Sequence, residues 1–465
     1  MTAATPTPVV RAARGRTPRR APADLPFSFA DVALAERLAA ERDEPAWLRA
    51  ARVGAAETFG RLPTESNQLY TTYVDLRSAD LFAAEPVVRT AVAPDPEGTV
   101  PEGVAALMEL REDGVATLAL SPEARAGGLT LETFAAALDR DPDGFRADLD
   151  GAWLPDDDRL AWLARGFWSH GVRLFVPDGV RLAHPIVVRW AVGEPGRALM
   201  TRTLVRLGDG AAASLVEEQV PSPTAGESGG PQSLFGGTTE VALGRDATLV
   251  VASIQDLPEN VISFAHRTAR IGEGATLRWA LAQLGSRLVR SRVDNRLEGD
   301  RSTVEQVEIV FGTAGQLFDL TSYTRHLGRN TTGNLLSKGA LRDDARSFMK
   351  GLITIERSAV GTDSFLGEFG MNLSKHTRAV AIPSLEIDQP DCRRAAHSSS
   401  VGPIDETQLF YLESRGIPPD EARKFIVLGF LEPVVARVPL AATQAHLREL
   451  LEAKWSTGET AIAAA

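Results

Sequence analysis

The chain has 465 residues, is 44% hydrophobic and carries a formal net charge of -11, which suits two or three globular parts and excludes a single small module. The acidic balance argues against a general binder of nucleic acid or anionic membranes, because such proteins need a cationic footprint. One cysteine, no recognisable secretory signal and no run of roughly 18 apolar residues predict a cytoplasmic protein that does not cross a membrane.

The first 25 residues are rich in Arg, Ala, Thr and Pro, and Asp24 is their only acid. This composition predicts a disordered tail over residues 1–25. A transit peptide is the alternative, because such peptides are also rich in arginine and poor in acids.

A helix is predicted after Pro45, since proline is favoured in the first turn. Apolar residues then recur at three- and four-residue intervals and predict one buried stripe, formed by Trp47, Leu48, Ala51 and Ala55. We assign residues 26–160 to an N-terminal helical and mixed region. Its acidic stretch at 139–159 is expected to be a solvated connection.

Residues 161–403 are predicted to form the β-structured core. From Gly171 the apolar period changes from 3.6 to 2, and Pro-Asp-Gly and His-Pro separate the short runs, as in strands with one dry and one wet face. Similar turn segments begin at Leu207, Leu243, Ile271 and Leu297, which are 36, 28 and 26 residues apart. This self-similarity favours a β-solenoid of stacked coils; a β-sandwich is the alternative.

The strand pattern is expected to end after residues 379–387, and residues 404–465 to form a helical unit. Asp405 can cap a helix that runs to Arg415, where Gly416 ends it. A second helix is predicted with Ala422, Phe425, Ile426 and Phe430 on one face, and a third from about Ala441 to Trp455.

Common catalytic motifs are absent from the sequence. It contains no P-loop, no Cys-x-x-Cys and no Gly-x-Ser-x-Gly, and its seven histidines are scattered. Cys392 lies near His397, and thiolate and imidazole suit iron, copper and zinc, but this spacing is not specific for a metal. Arg393 and Arg394 could bind an anion, although a solvated loop is the favoured interpretation.

Several motifs, in order, resemble the SufB and SufD family, the paired scaffold subunits of the Suf machinery for iron-sulfur cluster assembly. In the C-terminal part these are PSLEI, His397 followed by Gly402, IDETQLFYLESRGI and EARKFIVLGF. Earlier parts of the chain add EPAWL, FGRLP, FWSHGVRLFVPDGVRLAHPI and SKGALRDDARSFMKGLITI.

The resemblance implies a mainly β fold, a right-handed parallel β-helix flanked by N-terminal and C-terminal helical parts. It also implies pairing with SufB through the β-helices and docking of a SufC ATPase on the C-terminal helices. The candidate docking residues are Phe410, Tyr411, Phe425 and Phe430. Such a chain is a non-catalytic subunit of an ATP-driven complex, and it can form a homodimer when SufB is absent.

The SufD branch of the family is the better match. In SufB the histidine is followed by Glu, and a cysteine stands at the end of the strand that corresponds to PSLEI, whereas this chain has Ser398 and Ile387 at these positions. Ala395 stands where SufD often has a cysteine, so Cys392 is not assumed to be its equivalent. A SufB-like main scaffold is the alternative, because GFLEP at 429–433 resembles SufB.

By resemblance, His397 is a candidate ligand for iron or a nascent cluster at the SufB interface, and Cys392 is a second candidate. A reduced flavin is bound by relatives, but no sequence feature here indicates it. A different class of protein, a β-helix enzyme that cleaves polysaccharides, would use acids such as Asp294, Asp319 and Glu386. The lack of an export signal argues against that class.

Overall fold

The computed structural model describes residues 30–62, 85–86, 99–225 and 230–457. The predicted tail at residues 1–25 lies outside them. The fold is mainly β and contains a parallel β-solenoid of about eight turns with helices at both ends. The predicted β-solenoid is therefore confirmed, and the β-sandwich is excluded.

Each coil of the solenoid gives one strand to each of two parallel sheets. The first sheet contains β5 (His170–Val176), β7 (Arg197–Leu207), β9 (Ser233–Leu243), β11 (Val261–Ile271), β13 (Leu288–Leu297), β15 (Leu317–His326), β17 (Arg346–Ile355) and β19 (Arg378–Ile387). The second contains β6 (Ile186–Val192), β8 (Ala212–Pro221), β10 (Thr248–Gln255), β12 (Thr276–Gln283), β14 (Thr303–Gly312), β16 (Thr332–Leu341), β18 (Asp363–Asn372) and β20 (Arg394–Gly402).

The two ends of the solenoid differ. At the N-terminal end β2 (Ala106–Arg111) joins β6 and forms a hairpin with β3 (Gly114–Leu120), and β4 (Thr130–Thr133) pairs antiparallel with β5. A two-residue strand β1 (Glu85–Pro86) pairs with β7. At the other end no described strand pairs beyond β19 and β20. We call this pair of edge strands the open end.

The repeated turn segments hold successive coils in register. A left-handed backbone position recurs once per coil, with φ of 67° at Gly210, 56° at Asp246 and 66° at Gly274. The N–H of Gly210 donates to the carbonyl of Arg245 in the next coil, at 2.7 Å, and Asp246 repeats this bond to Glu273, at 2.8 Å. Glycine and aspartate recur because they tolerate this conformation.

Helices at the N-terminal side cover the outer face of the first sheet. They are α1 (Val32–Glu41), α2 (Ala46–Arg61), α4 (Phe134–Arg140), α5 (Pro142–Gly151) and α6 (Arg159–Phe167), whereas the short α3 (Pro122–Ala126) packs its Ala124 into the inner core. Apolar side chains of α1, α2 and α6 pack against strand residues such as Met200, Ile262 and Phe264. Burial of this face stabilises the solenoid by the hydrophobic effect.

Two predictions about this region were wrong. Ala51 is exposed, and Arg52 occupies the buried stripe instead, because its guanidinium pairs with Glu44 at 2.6 Å and stacks on Trp168 at 3.7 Å. Residues 139–159 are not a solvated connection. They form α5 with its buried Phe145, and the buried Asp158 caps α6.

Three helices follow the solenoid, α7 (Glu406–Ser414), α8 (Pro419–Val435) and α9 (Ala441–Thr457). The predicted cap at Asp405 is confirmed, since its carboxylate accepts from the N–H of Thr407 at 2.8 Å. Val427, Leu431 and Val434 of α8 are buried with residues of α9 against the outer face of the second sheet. Of the residues predicted to share one face of this helix, Ala422 is buried, whereas Phe425, also a candidate docking residue, is 57% exposed.

The strand pattern does not end at Ile387, as the sequence suggested, because β20 follows it. β20 is rich in serine and alanine, so its apolar alternation is weak. Among the described residues no helix is long and apolar enough to span a bilayer.

Candidate functional site

His397 lies at the open end, in the middle of β20. This strand pairs with β18, where Leu366 is the partner of His397, and the imidazole side chain is exposed. The structure therefore places this histidine on the last described coil, where a second subunit can reach it.

The side chain of His397 is on the inner side of the last coil. Residues paired in register on parallel strands point to the same face. Leu366 points inward, because a Cβ added at Gly351 on the opposite sheet would be 2.4 Å from it. The same Cβ would be 2.9 Å from a carboxylate oxygen of Glu368, whose partner on β20 is Ser399.

Glu368 is a buried acid that the sequence reasoning missed. The N–H of Ile382 on β19 donates to its carboxylate at 2.8 Å, and burial raises the pKa of Glu368 to about 7. The signal was present in the alternation of β18, because Ser364, Leu366 and Glu368 occupy consecutive inward positions. A charged residue at an inward position is a functional candidate.

Cys392 is half-buried in the turn before β20. It packs with Leu385 and Ala395 against an inner apolar cluster that includes Ile353. Within the described ranges, no group of three or more His, Cys, Asp or Glu side chains could hold a metal ion. His397 and Cys392 therefore do not form a complete metal site by themselves in this part of the chain.

The two arginines after Cys392 contact the preceding coil. Arg393 donates to the carbonyl of Gly361 at 2.8 Å, and Arg394 donates to Asp363 at 2.8 Å. These contacts hold β20 against β18. They explain both arginines without a bound anion.

The candidate docking residues lie on α7 and α8. Phe410, Tyr411 and Phe425 are 71%, 56% and 57% exposed, and we call these three side chains the aromatic surface. Phe430 differs, because it is partly buried with the ammonium of Lys338 4.6 Å from its ring centroid. A groove of about 470 Å³ separates α8 from the last coils and is bordered by Phe425, Phe430, Phe369 and Ser400.

The acids considered for polysaccharide cleavage do not form an open row. Asp294 is buried and accepts hydrogen bonds from Arg292 and from His266, at 2.7 and 2.8 Å, if that histidine nitrogen carries the proton. Asp319 is buried in an ion pair with Lys350. Glu386 is exposed on β19. Two of the three carboxylates are therefore structural.

Fold and site together define a parallel β-solenoid scaffold with an open end and attached helices. The family model for the SufBD core domain of the SUF system for FeS cluster assembly matches residues 190–430. Since this is more than half of the chain, the protein belongs to the SufBD family of iron-sulfur cluster assembly proteins. The resemblance inferred from the motifs is confirmed.

Three curated relatives illustrate the similarity. The iron-sulfur cluster assembly protein SufD of Bacillus subtilis is 26% identical over 427 residues, which cover 89% of this chain and 95% of that protein. A SufBD family protein of Staphylococcus epidermidis is 26% identical over 321 residues, or 69% and 68% of the two chains. One from Mycobacterium leprae is 26% identical over 279 residues, which are 60% of this chain but 31% of the relative.

Proposed function

We propose that this chain is the SufD-like scaffold subunit of a complex with SufB and the SufC ATPase, and that it has no turnover of its own. The observation that carries the proposal is the open end, where His397 stands on an edge strand beside helices with an exposed aromatic surface. Its setting is proposed to be the cytoplasm, in line with the single cysteine.

Pairing with SufB is proposed to occur at the open end. Edge strands present unpaired backbone N–H and C=O groups that another strand can satisfy. Ile387 and Val401, on β19 and β20, are 46% and 40% exposed and offer apolar contact to a partner. A second solenoid of the same family supplies two matching edges. A homodimer in the absence of SufB would use the same surface.

His397 is proposed to bind iron or a nascent cluster as transient cargo. A neutral imidazole nitrogen is a good ligand for iron, and the exposed position lets a partner complete the ligand set. A site divided between two chains can be opened by moving one chain against the other. This arrangement suits a scaffold that must release what it assembles.

The aromatic surface is proposed to dock SufC. Exposed aromatic side chains are typical of protein interfaces. The helices that carry them are fixed to the second sheet, because the ammonium of Lys338 on β16 donates to the carbonyl of Phe430 at 3.0 Å. Nucleotide-driven motion of SufC would thus be transmitted through these helices to the second sheet. It would shift the interface with SufB between two states.

The SufB-like alternative is less well supported. A main scaffold needs a thiolate at the end of the PSLEI strand, and Ile387 at that position has a purely apolar side chain. The similarity to the SufD of Bacillus subtilis extends over 89% of this chain.

Co-expression with SufB and SufC, followed by native mass measurement and iron and sulfide analysis, tests the proposal. The full chain should enter a three-protein complex, and a His397→Ala variant should assemble normally but accumulate less cluster. His376→Ala is the matched control, because that imidazole is 79% exposed in a turn outside β20. Equal cluster yield from the two variants would contradict the ligand role. Failure of the wild-type chain to join the complex would contradict the subunit assignment.

A further inference from the structure

A column of mostly polar side chains, interrupted by the apolar Leu281, runs along the inner face of the second sheet towards the open end. Residues in register on successive strands share one direction, so these positions form a single column across the coils. From the N-terminal side its members are Glu217, Ser253, Leu281, Glu308, Ser337, Glu368 and Ser399.

The first two acids of this column are held by side chains inside the solenoid. Glu217 accepts hydrogen bonds from Arg267, at 2.9 Å, and Ser253, at 2.7 Å. Glu308 accepts from Ser291 at 2.7 Å and from Gln283 at 3.2 Å. The charge of Arg267 offsets the cost of removing the Glu217 carboxylate from water, whereas both bonds to Glu308 go to one oxygen and its other oxygen accepts no hydrogen bond from the described residues.

Glu368 is the last acid of the column, and its surroundings differ. A backbone N–H, that of Ile382, donates to one of its oxygens. Lys350 attracts this carboxylate by its charge, but it projects from the outer face of the first sheet, where it pairs with Asp319. A buried carboxylate with this modest support is costly, which points to a role other than stability.

Glu368 lies one strand from the open end and next to the position of His397. Neighbouring strands are about 4.8 Å apart and two residues along a strand span about 6.6 Å, so the Cα atoms of Glu368 and His397 are about 8 Å apart on one face. Side chains of this length can bridge that separation to one ion. Ser399 shares this inner face: it is the register partner of Glu368 and lies two residues after His397 on β20.

We propose that Glu368 provides a carboxylate ligand to the ferrous ion that His397 binds, so that this chain contributes an oxygen and a nitrogen donor to the shared site. This inference rests on the proposed function, in which iron is cargo at the open end. Imidazole with carboxylate is a donor set that suits non-haem ferrous iron. SufB would complete the coordination and cover the ion when its strands extend the two sheets.

The test is an anaerobic titration of the purified three-protein complex with ferrous ion, with cobalt(II) as a spectroscopic probe of the same site. Glu368→Gln keeps the shape of the side chain and removes the anionic donor. Glu386→Gln is the matched control, because that carboxylate is exposed on the outer face of β19. Native mass measurement establishes for each variant that the complex is intact.

The inference predicts that Glu368→Gln weakens ferrous ion binding by at least about tenfold, as loss of even a supporting group does at metal sites. It also predicts an altered cobalt(II) absorption spectrum, which a purely structural role would leave unchanged. Adding Glu368→Gln to His397→Ala should cause little further loss, since both residues serve one ion.

Ferrous binding and a cobalt(II) spectrum equal to wild type in an intact Glu368→Gln complex would overturn the inference and leave the subunit assignment standing. The same holds if the intact wild-type complex binds no ferrous ion. If no complex forms, the proposed function fails, and the shared site fails with it.

Discussion

Glu368 is expected to make the folded protein less stable as pH rises, and Glu368→Gln should remove this effect. Burial raises the pKa of Glu368 to about 7, whereas an unfolded chain gives about 4.3. The folded state therefore holds the proton more tightly. Well below pH 4 the carboxyl is protonated in both states, so its burial carries no ionisation penalty. Between pH 4.3 and 7 the penalty grows, and above pH 7 it is constant.

The magnitude follows from these two pKa values. Each unit is worth about 1.4 kcal/mol, so the penalty is about 1 kcal/mol at pH 5 and about 3.5 kcal/mol at pH 8. The free energy of unfolding of Glu368→Gln minus that of wild type should thus increase by about 2.5 kcal/mol from pH 5 to pH 8. Other titrating groups cancel in this difference, provided that the substitution leaves their surroundings unchanged.

Urea denaturation at several pH values, followed by circular dichroism, measures this difference. The slope of the unfolding free energy against urea concentration should be the same for both proteins. Glu386→Gln, which makes the same substitution at an exposed carboxylate, is the control. If the difference in the free energy of unfolding between wild type and Glu368→Gln stays constant from pH 5 to pH 8, the reasoning about Glu368 is refuted.

Three further predictions concern the fold and the docking helices. Arg52→Met removes the partner of the buried Glu44 and should lower the free energy of unfolding, measured by urea denaturation, by about 3–5 kcal/mol. Adding Glu44→Gln should recover part of this loss. A loss below about 1 kcal/mol would contradict the importance of the pair. Gly299→Ala would place a Cβ 2.0 Å from the backbone nitrogen of Glu273 and should cost about 1–3 kcal/mol. Gly315→Ala, with no atom within 4 Å, should stay within about 0.5 kcal/mol, and equal effects would refute the close approach of the coils. Phe425→Ser should change stability by less than about 0.5 kcal/mol yet weaken SufC capture by the full chain at least about tenfold, the effect of losing an interface hot spot. Val32→Ser, 37% exposed on α1, should not weaken capture, and unchanged capture by Phe425→Ser would exclude the aromatic surface as the docking site.

The sequence predicted the elements whose signals are local. The recurring Gly and Asp turns marked the left-handed position at Gly210 and Asp246, which holds one coil to the next. The cap at Asp405 and the left-handed Gly416 marked the limits of α7. Such features depend on a few neighbouring residues, so they can be predicted from a single sequence.

The predictions that were wrong concern features that depend on tertiary packing. Periodicity could not show that Arg52 would displace Ala51 from the buried stripe, because the reason is the pairing with Glu44 and the stacking on Trp168. The strand β20 needs little apolar alternation, since one side of its sheet has no further described coil to cover it. Its existence depends on β18, not on its own composition.

The candidate site was predicted only in part. Resemblance indicated His397, and alternation along β18 would have marked Glu368 as an inward acid. The nearness of the two residues was hidden, because it requires the register between β18 and β20. Local sequence does not specify which residues of two parallel strands are partners.

Amide hydrogen exchange of β20 tests the central claim most directly. It is measured on the full chain alone and in the complex with SufB and SufC. If the open end is the pairing surface, amides in residues 394–402 should exchange much more slowly in the complex, while exchange in β10 and β12 stays the same. Unchanged exchange across β20 in a complex that native mass measurement shows to be intact would contradict the account.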